Sequence, residues 1–345
     1  MSRPLSDADL AHSFALAGAP AWESLRGARV FLTGGTGFVG KWLTAALLHA
    51  DRTLGLGVEL VLLSRDPDAF RAAAPELANA GPVRLVRGDV RDFVFPDGAF
   101  SHVIHAATDV VAQATPAATF AVCVDGTRRV LDFAAARGVQ DLLLVSSGAV
   151  YGRQPPELPA IDEDYRGAPD LRQAGAAYGE GKRVSEWLTH MAAAATGCRV
   201  RVARCFAFVG PYLALDKQFA VGNFVRDALA GQDIVIQGDG TPYRSYLYAA
   251  DLAGWLWAML LRGPAGAVYN VGGAEALSIA ELAERVTRVL ASPGAVRVLK
   301  TPSGAPAERY VCDVGRIQRE LDLPPPLPLD EGIRRMARWH TSATD

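Results

Sequence analysis

The chain has 345 residues, half of them hydrophobic and 21% charged, with a formal net charge of -2. Near-neutral charge without basic blocks argues against a nucleic-acid partner, and no apolar stretch reaches the ~18 residues of a membrane span. The N-terminus is a poor signal peptide, and the four cysteines (Cys123, Cys198, Cys205, Cys312) form no C-x-x-C pair, so a reducing, cytoplasmic setting is expected.

A helical extension is expected over residues 5–25, ahead of a first strand, "ARVFLT". In "FLTGGTGFVGKWL" three glycines follow at G-x-x-G-x-x-G spacing, Gly34, Gly37 and Gly40. A strand, a glycine turn and a helix starting inside that turn are the parts of a dinucleotide site. The glycines let the backbone approach a pyrophosphate, whose charge meets free N–H groups of the helix start. By itself the pattern is weak, and an ordinary strand-to-helix turn would look similar. "VELVLLSR" reads as a second strand, followed by an Ala-rich helical stretch. "VRLVRGDV" and "FSHVIHAA" are a third and a fourth. "DGTRRVLDFAAARG" is a helix stopped by Gly138, "DLLLVSS" a fifth strand, and "CRVRVARCFAF" a further strand after a long helix beginning near Tyr178.

Continuous apolar strands separated by helices indicate an α/β chain with a parallel sheet covered on both faces. From Gly210 the pattern loosens into shorter elements, and "LPPPLPL" must be extended. The expected division is a helical extension over 1–26, a dinucleotide-binding domain over 27–209 and a mainly substrate-binding region over 210–345. Part of 232–256 is expected to return to the first domain. His102 and His105 fall on opposite faces of a strand, so no shared metal site is expected. Trp255 and Trp257 read as core.

"AAYGEGKRVSEWL" places Tyr178 and Lys182 four apart in the first turns of a helix, so both point the same way. A phenol with an ammonium one turn on can act as an acid/base, because the ammonium stabilises the phenolate. Alone, Tyr-x-x-x-Lys is common. Here "LVSSGAVYG" also puts Ser146 and Ser147 at the carboxyl end of the fifth strand, where open parallel sheets bind ligands.

Glycine turn, strand-end serine and Tyr-x-x-x-Lys, in that order, make the chain resemble the extended short-chain dehydrogenase/reductases from about Arg29 to Asp330. "GDV" (88–90), "HAA" (105–107) and "GDGTPYRSYLYAADLA" (238–253) match further, the last resembling that family's segment for a substrate diphosphate. The nearest look is to the sugar-nucleotide epimerase/dehydratase branch. The resemblance implies a Rossmann-type doubly wound parallel sheet with a smaller, interleaved C-terminal substrate-binding region. It implies a nicotinamide cofactor touching Gly34, Gly37, Phe38, Val39, Gly40, Ser64, Arg65, Asp89, Val90, Ala106, Ala107, Tyr178 and Lys182. Tyr178 would be the general base, Lys182 would bind the nicotinamide ribose, and Ser147 would orient the reacting oxygen. Ser146 reads better as an ordinary strand-end hydroxyl. Asp89 would accept from the adenine amino group, or simply form a turn. Thr108, Ser147, Asn223, Arg244 and Arg309 are the expected contacts to a nucleotide-diphosphate sugar, although a surface salt bridge is the more frequent fate of an arginine placed like Arg309.

Where NAD enzymes usually place an acid after the second strand, Ser64 and Arg65 stand here. A hydroxyl and a guanidinium suit a 2′-phosphate, so NADP(H) is favoured over NAD(H), retained through turnover. The alternative has Arg65 stack on adenine while Asp66 takes the ribose of NAD. Related 4,6-dehydratases carry Asp-Glu directly after the catalytic hydroxyl, and Gly148 and Ala149 cannot move protons. Elimination therefore loses ground unless Asp109 or another carboxylate substitutes. Epimerisation through a transient keto-sugar is the leading expectation, with NADPH-dependent reduction of a 4-keto sugar second and decarboxylation or dehydration behind. A cofactor-sensing binding protein is the non-enzyme alternative. Two helices with surplus apolar faces imply, by the same resemblance, a homodimer through a four-helix bundle.

Overall fold

Gly18, at φ 84°, splits the expected N-terminal helix into α1 (Asp7–Ala17) and α2 (Ala19–Glu23). The computed structural model describes residues 3–108 and 115–341. The chain then runs β1 (Arg29–Thr33), α3 (Phe38–Leu54), β2 (Glu59–Ser64), α4 (Pro67–Ala73), α5 (Pro75–Ala78), β3 (Val83–Arg87) and β4 (His102–His105). There follow α6 (Pro116–Ala136), β5 (Asp141–Ser147), a 3-10 turn (Gly148–Tyr151), α7 (Ala176–Thr196) and β6 (Arg199–Cys205). The remainder is β7 (Ala207–Val209), α8 (Ala220–Leu229), β8 (Ile234–Ile236), β9 (Tyr243–Tyr248), α9 (Ala249–Arg262), β10 (Val268–Val271) and β11 (Ala276–Ser278). It closes with α10 (Ile279–Val289), β12 (Val296–Val298), β13 (Arg309–Tyr310), α11 (Gly315–Glu320) and α12 (Leu329–Thr341).

Seven strands form one parallel sheet in the order β10-β6-β5-β4-β1-β2-β3. The order reverses beside β1, and that reversal opens the crevice in which such sheets bind ligands. Both faces are dry. Val30 and Leu32 of β1 point into a core shared with Trp42, Leu43 and Leu47 of α3 and with Trp255 and Trp257 of α9. Phe31, between them, points the other way into a cluster with Phe93, Phe100 and Phe133. That alternation is why the middle of a central strand such as β1 reads as a continuous apolar run. Each such side chain contributes ~1.5–3 kcal/mol of burial.

The return to the first domain begins within 232–256, at Ala249, and runs on past it. It consists of α9 and β10, ending at Val271, while β8 pairs only with β12 outside the main sheet. A second small sheet, β11-β9-β13 with β7 on β9, carries the C-terminal region. The N-terminal extension is bound into both halves. The Asp9 carboxylate, 3% exposed, accepts from Tyr248 Oη at 3.0 Å and Arg335 Nη1 at 2.6 Å, and His12 Nε2 lies 2.7 Å from Asp251. Among the described residues no helix is long and apolar enough to cross a membrane, and no group of His, Cys, Asp and Glu could hold a metal ion.

Candidate active site

The glycine turn leaves β1 through Gly34, whose φ of 72° is a left-handed conformation. It is also pressed from behind: a Cβ there would lie 2.6 Å from the Ala106 carbonyl carbon and 2.7 Å from the Ala107 nitrogen. Gly37, exposed, is the N-cap of α3 and supplies no side-chain cap, and Phe38 and Val39, both half-buried, begin the helix. Gly40 is buried in the first turn. The first N–H groups of a 17-residue helix therefore open towards the crevice without a side-chain acceptor, which is the arrangement an anionic diphosphate needs.

Behind the turn, the Thr33 hydroxyl accepts from Ala107 N at 3.1 Å and meets His105 Nδ1 at 2.8 Å. His105 Nε2 meets Thr127 Oγ1 at 3.0 Å, and that hydroxyl donates to Cys123 O. Thr127 must then accept, so Nε2 carries the proton and Nδ1 accepts from Thr33. Burial, with a smaller push from Lys182, lowers the His105 pKa to about 3. The imidazole is a neutral strut that fixes the ends of β1 and β4 together.

On the β2 side, Ser64 is buried and its hydroxyl accepts from Asp66 N at 3.2 Å, while Arg65 is exposed. Asp66 caps α4 at Ala69 N and lies 3.8 Å from Arg87. Asp89 accepts from the Arg91 guanidinium at 2.8 Å and its backbone N–H at 3.0 Å, and the Arg91 hydrogen bond holds its carboxyl below the usual range. Val90 is buried against Gly126 of α6.

At the carboxyl end of β5 the two serines diverge. Ser147 Oγ accepts from Ala149 N at 3.1 Å, capping the 3-10 turn, so its hydroxyl can still donate outward. Ser146 instead donates to Glu186 of α7 at 2.6 Å. Tyr178 is half-buried in the first turn of α7. Lys182, one turn on and 2% exposed, donates from Nζ to Val145 O at 2.8 Å and lies 6.0 Å from the Tyr178 ring centroid. One of three ammonium protons is thus used by the protein. The structure brings Ser147, Tyr178 and Lys182 to the same strand end, beside the glycine turn.

A second phenol, absent from the sequence expectations, joins them. Tyr310 Oη lies 3.4 Å from Ser147 Oγ, and its ring packs on Phe206 with centroids 4.5 Å apart. Burial drives the Tyr310 pKa upward, and Tyr178 is near enough to add to the rise. Phe206 explains Gly148: a Cβ at 148 would sit 2.6 Å from the ring edge.

The expected substrate contacts scatter more widely. Thr108 has a buried hydroxyl, beside the Cys123 thiol, with no well-formed hydrogen bond among the described residues. Arg244 is over Tyr310, 5.8 Å from the ring centroid, and pairs with Glu308 at 2.7 Å. Arg309 stacks on Tyr243 at 4.4 Å. Because β9 and β13 pair Arg309 with Tyr243 and Tyr310 with Arg244, Arg309 occupies the face of that sheet opposite Tyr310. Asn223 on α8 donates its amide to Lys217 O at 2.9 Å. Asp109 lies outside the described residues.

Residues 30–272 match the family described as NAD dependent epimerase/dehydratase. The chain belongs to this family. Among curated relatives in the NAD dependent epimerase/dehydratase family, the chain is 30% identical over 309 residues to UDP-glucuronic acid decarboxylase 1 of Arabidopsis thaliana, across 89% of this chain and 68% of that protein. It is 31% identical over 334 residues to dTDP-4-dehydro-6-deoxy-D-allose reductase of a Streptomyces species, across 91% and 96%. Of solved structures, a double mutant of the dTDP-glucose 4,6-dehydratase DesIV of Streptomyces venezuelae, with NAD bound, superposes with a TM-score of 0.76 at 26% identity, covering 91% and 97%. The epimerase Mth375 of Methanothermobacter thermautotrophicus shares the fold, with a TM-score of 0.79 at 23% identity over 95% and 96%. This is therefore an enzyme of the extended short-chain dehydrogenase/reductase type.

Proposed function

We propose that this protein reduces a keto group on the sugar of a nucleotide-diphosphate sugar, using NADP(H), without eliminating or decarboxylating the sugar. The observation that carries the reading is the position after Ser147. Gly148 is closed against Phe206, and Ala149 offers no proton, so the two positions directly after Ser147 lack the carboxylates an elimination by that route uses. Reduction takes precedence over the epimerisation expected from sequence because the Streptomyces reductase matches along nearly its whole length. Epimerisation is the second reading, favoured by the trio of Ser147, Tyr178 and Lys182: oxidising a hydroxyl, letting the keto-sugar turn and reducing it again requires no other acid or base.

The glycine turn and the uncapped start of α3 would hold the cofactor diphosphate, and Lys182 the nicotinamide ribose. When bound, the nicotinamide supplies or accepts the hydride. Ser147 donates a hydrogen bond to the reacting oxygen and fixes its position. Tyr178 gives that oxygen its phenolic proton on reduction and takes it back on oxidation. Arg244 would take the substrate diphosphate by leaving Glu308, a partly exposed pair worth ~0–1 kcal/mol. Ser64 and Arg65 would take a 2′-phosphate, since the Asp66 carboxylate is already used as a helix cap. Trp187, 60% exposed, and Met191, 48% exposed, lie four apart on α7, and this stripe would face a second copy in a homodimer.

Incubation with NADPH and a dTDP-linked 4-keto-6-deoxyhexose tests the reading. A stoichiometric fall in nicotinamide absorbance with formation of the alcohol supports reduction, and inversion without net cofactor use supports epimerisation. Loss of water or carbon dioxide from a nucleotide sugar would overturn both.

A further inference from the structure

Directly beneath the serines, β6 places Arg204 opposite Ser146. Its guanidinium is nearly buried, with 17% of the side chain exposed. Nε donates to Glu186 Oε1 at 3.1 Å and Nη2 to Oε2 at 2.8 Å, a bidentate fork. Nη1 reaches Tyr151 Oη at 2.9 Å and Glu163 O at 3.2 Å. Glu186 takes one more proton, from Ser146. One cation thereby ties the helix of Tyr178 and Lys182 to the turn after Ser147 and to the segment that precedes the helix.

That segment reaches the other phenol. Ile161 N donates to Val311 O at 2.9 Å and Asp313 N to Ile161 O at 2.8 Å, so 161–163 is stitched to the residues immediately after Tyr310. Asn270 of β10 closes the web: it accepts from Tyr151 Oη at 2.8 Å, and its backbone N–H donates to the Glu163 carboxylate at 2.8 Å.

On α7 the residues Tyr178, Lys182 and Glu186 follow one another every four positions and share a stripe. Lys182 is anchored on Val145 O and Glu186 on Ser146 and Arg204, so the two contacts define how that stripe meets β5. A buried ion pair is weak evidence for stability, because desolvation offsets its attraction and an apolar pair of similar volume often serves as well. Its distinctive property is direction, since the planar fork fits a carboxylate in few orientations. We propose that Arg204 and Glu186 are positioning residues, their contact setting Lys182 and Tyr178 in register against Ser147 and joining that register to the strand of Tyr310. The inference rests on the Ser147–Tyr178–Lys182 site proposed above.

The test uses the full chain, with NADH and NADPH as fluorescent probes, in wild type, Arg204→Lys, the double variant Arg204→Met/Glu186→Leu, and Lys182→Met. The double variant keeps the volume and removes the fork, so its melting temperature should stay close to wild type. Its dissociation constant for the tighter nicotinamide should nonetheless rise about tenfold, as a charge-assisted contact is misaligned. Arg204→Lys should fall between. In turnover of the keto-sugar, kcat of the double variant should drop ~100-fold with a much smaller change in KM. Unchanged cofactor affinity in the double variant at an unchanged melting temperature overturns the proposal, as does a loss that merely tracks a lowered melting temperature. If Lys182→Met also binds the cofactor as wild type does, it is the site assignment that has failed, not the positioning pair.

Discussion

His105 shows how one buried side chain sets a pH limit. Free imidazole titrates near 6.5, and burial holds this one to about 3. Between those values the unfolded chain binds the extra proton and the folded chain does not, so stability rises with pH. The contribution is fully present above 6.5 and is lost as pH falls from there towards 3. Urea midpoints should therefore decline below pH 6.5, with His105 accounting for ~2 kcal/mol by pH 5. His105→Gln should flatten that decline, and an equally steep decline in the variant would contradict the burial of a neutral ring. At the other end of the site, Arg65→Ala should weaken NADPH about tenfold and leave NADH nearly unchanged, because only the former offers a 2′-phosphate to a guanidinium. Equal loss for both cofactors in a fluorescence titration would assign Arg65 to adenine stacking.

At the level of elements, the turn after β5 is shaped by a neighbour on another strand. Gly148→Ala adds one carbon where the Phe206 ring already stands, and overpacking of this kind costs ~1–3 kcal/mol. Chemical denaturation should show that loss, and a variant as stable as wild type would mean that the ring yields freely. The same contact separates what was legible in the sequence from what was not. Gly34, Ser147, Tyr178 and Lys182 could be placed because each belongs to a local pattern on one element: a turn, a strand end, a helix stripe. Tyr310 and Arg204 could not. Tyr310 sits on a two-residue strand too short to leave a period, and its partner Ser147 is 163 residues away. Arg204 lies in β6 with no local motif around it, and its partner Glu186 stands on the facing helix. The seventh strand of the main sheet, β10, lies beyond the stretch expected to return, for a related reason: it is four residues long and indistinguishable in pattern from the strands of the C-terminal region.

For the whole molecule, α6 and α7 pack against each other yet leave Trp187 and Met191 to solvent. That stripe is the surface through which the proposed homodimer would form. Light scattering should give a mass near twice the 36.6 kDa of the chain, and Trp187→Glu should return it to the single-chain value without lowering cofactor affinity. A wild-type monomer at micromolar concentration would contradict the dimer. The crevice itself needs no second copy, since the glycine turn, Ser147, Tyr178, Lys182 and Tyr310 all come from one chain. The central claim is that a hydride crosses to a sugar carbon held by that trio. Its most direct measurement uses NADPH deuterated at the transferable position, a dTDP-linked 4-keto-6-deoxyhexose, and NMR of the product. The account predicts one deuterium on the former carbonyl carbon, with transfer slowed by ~100-fold or more in Tyr178→Phe. Deuterium transfer that proceeds undiminished in that variant, or a product changed elsewhere with no deuterium acquired, would contradict it.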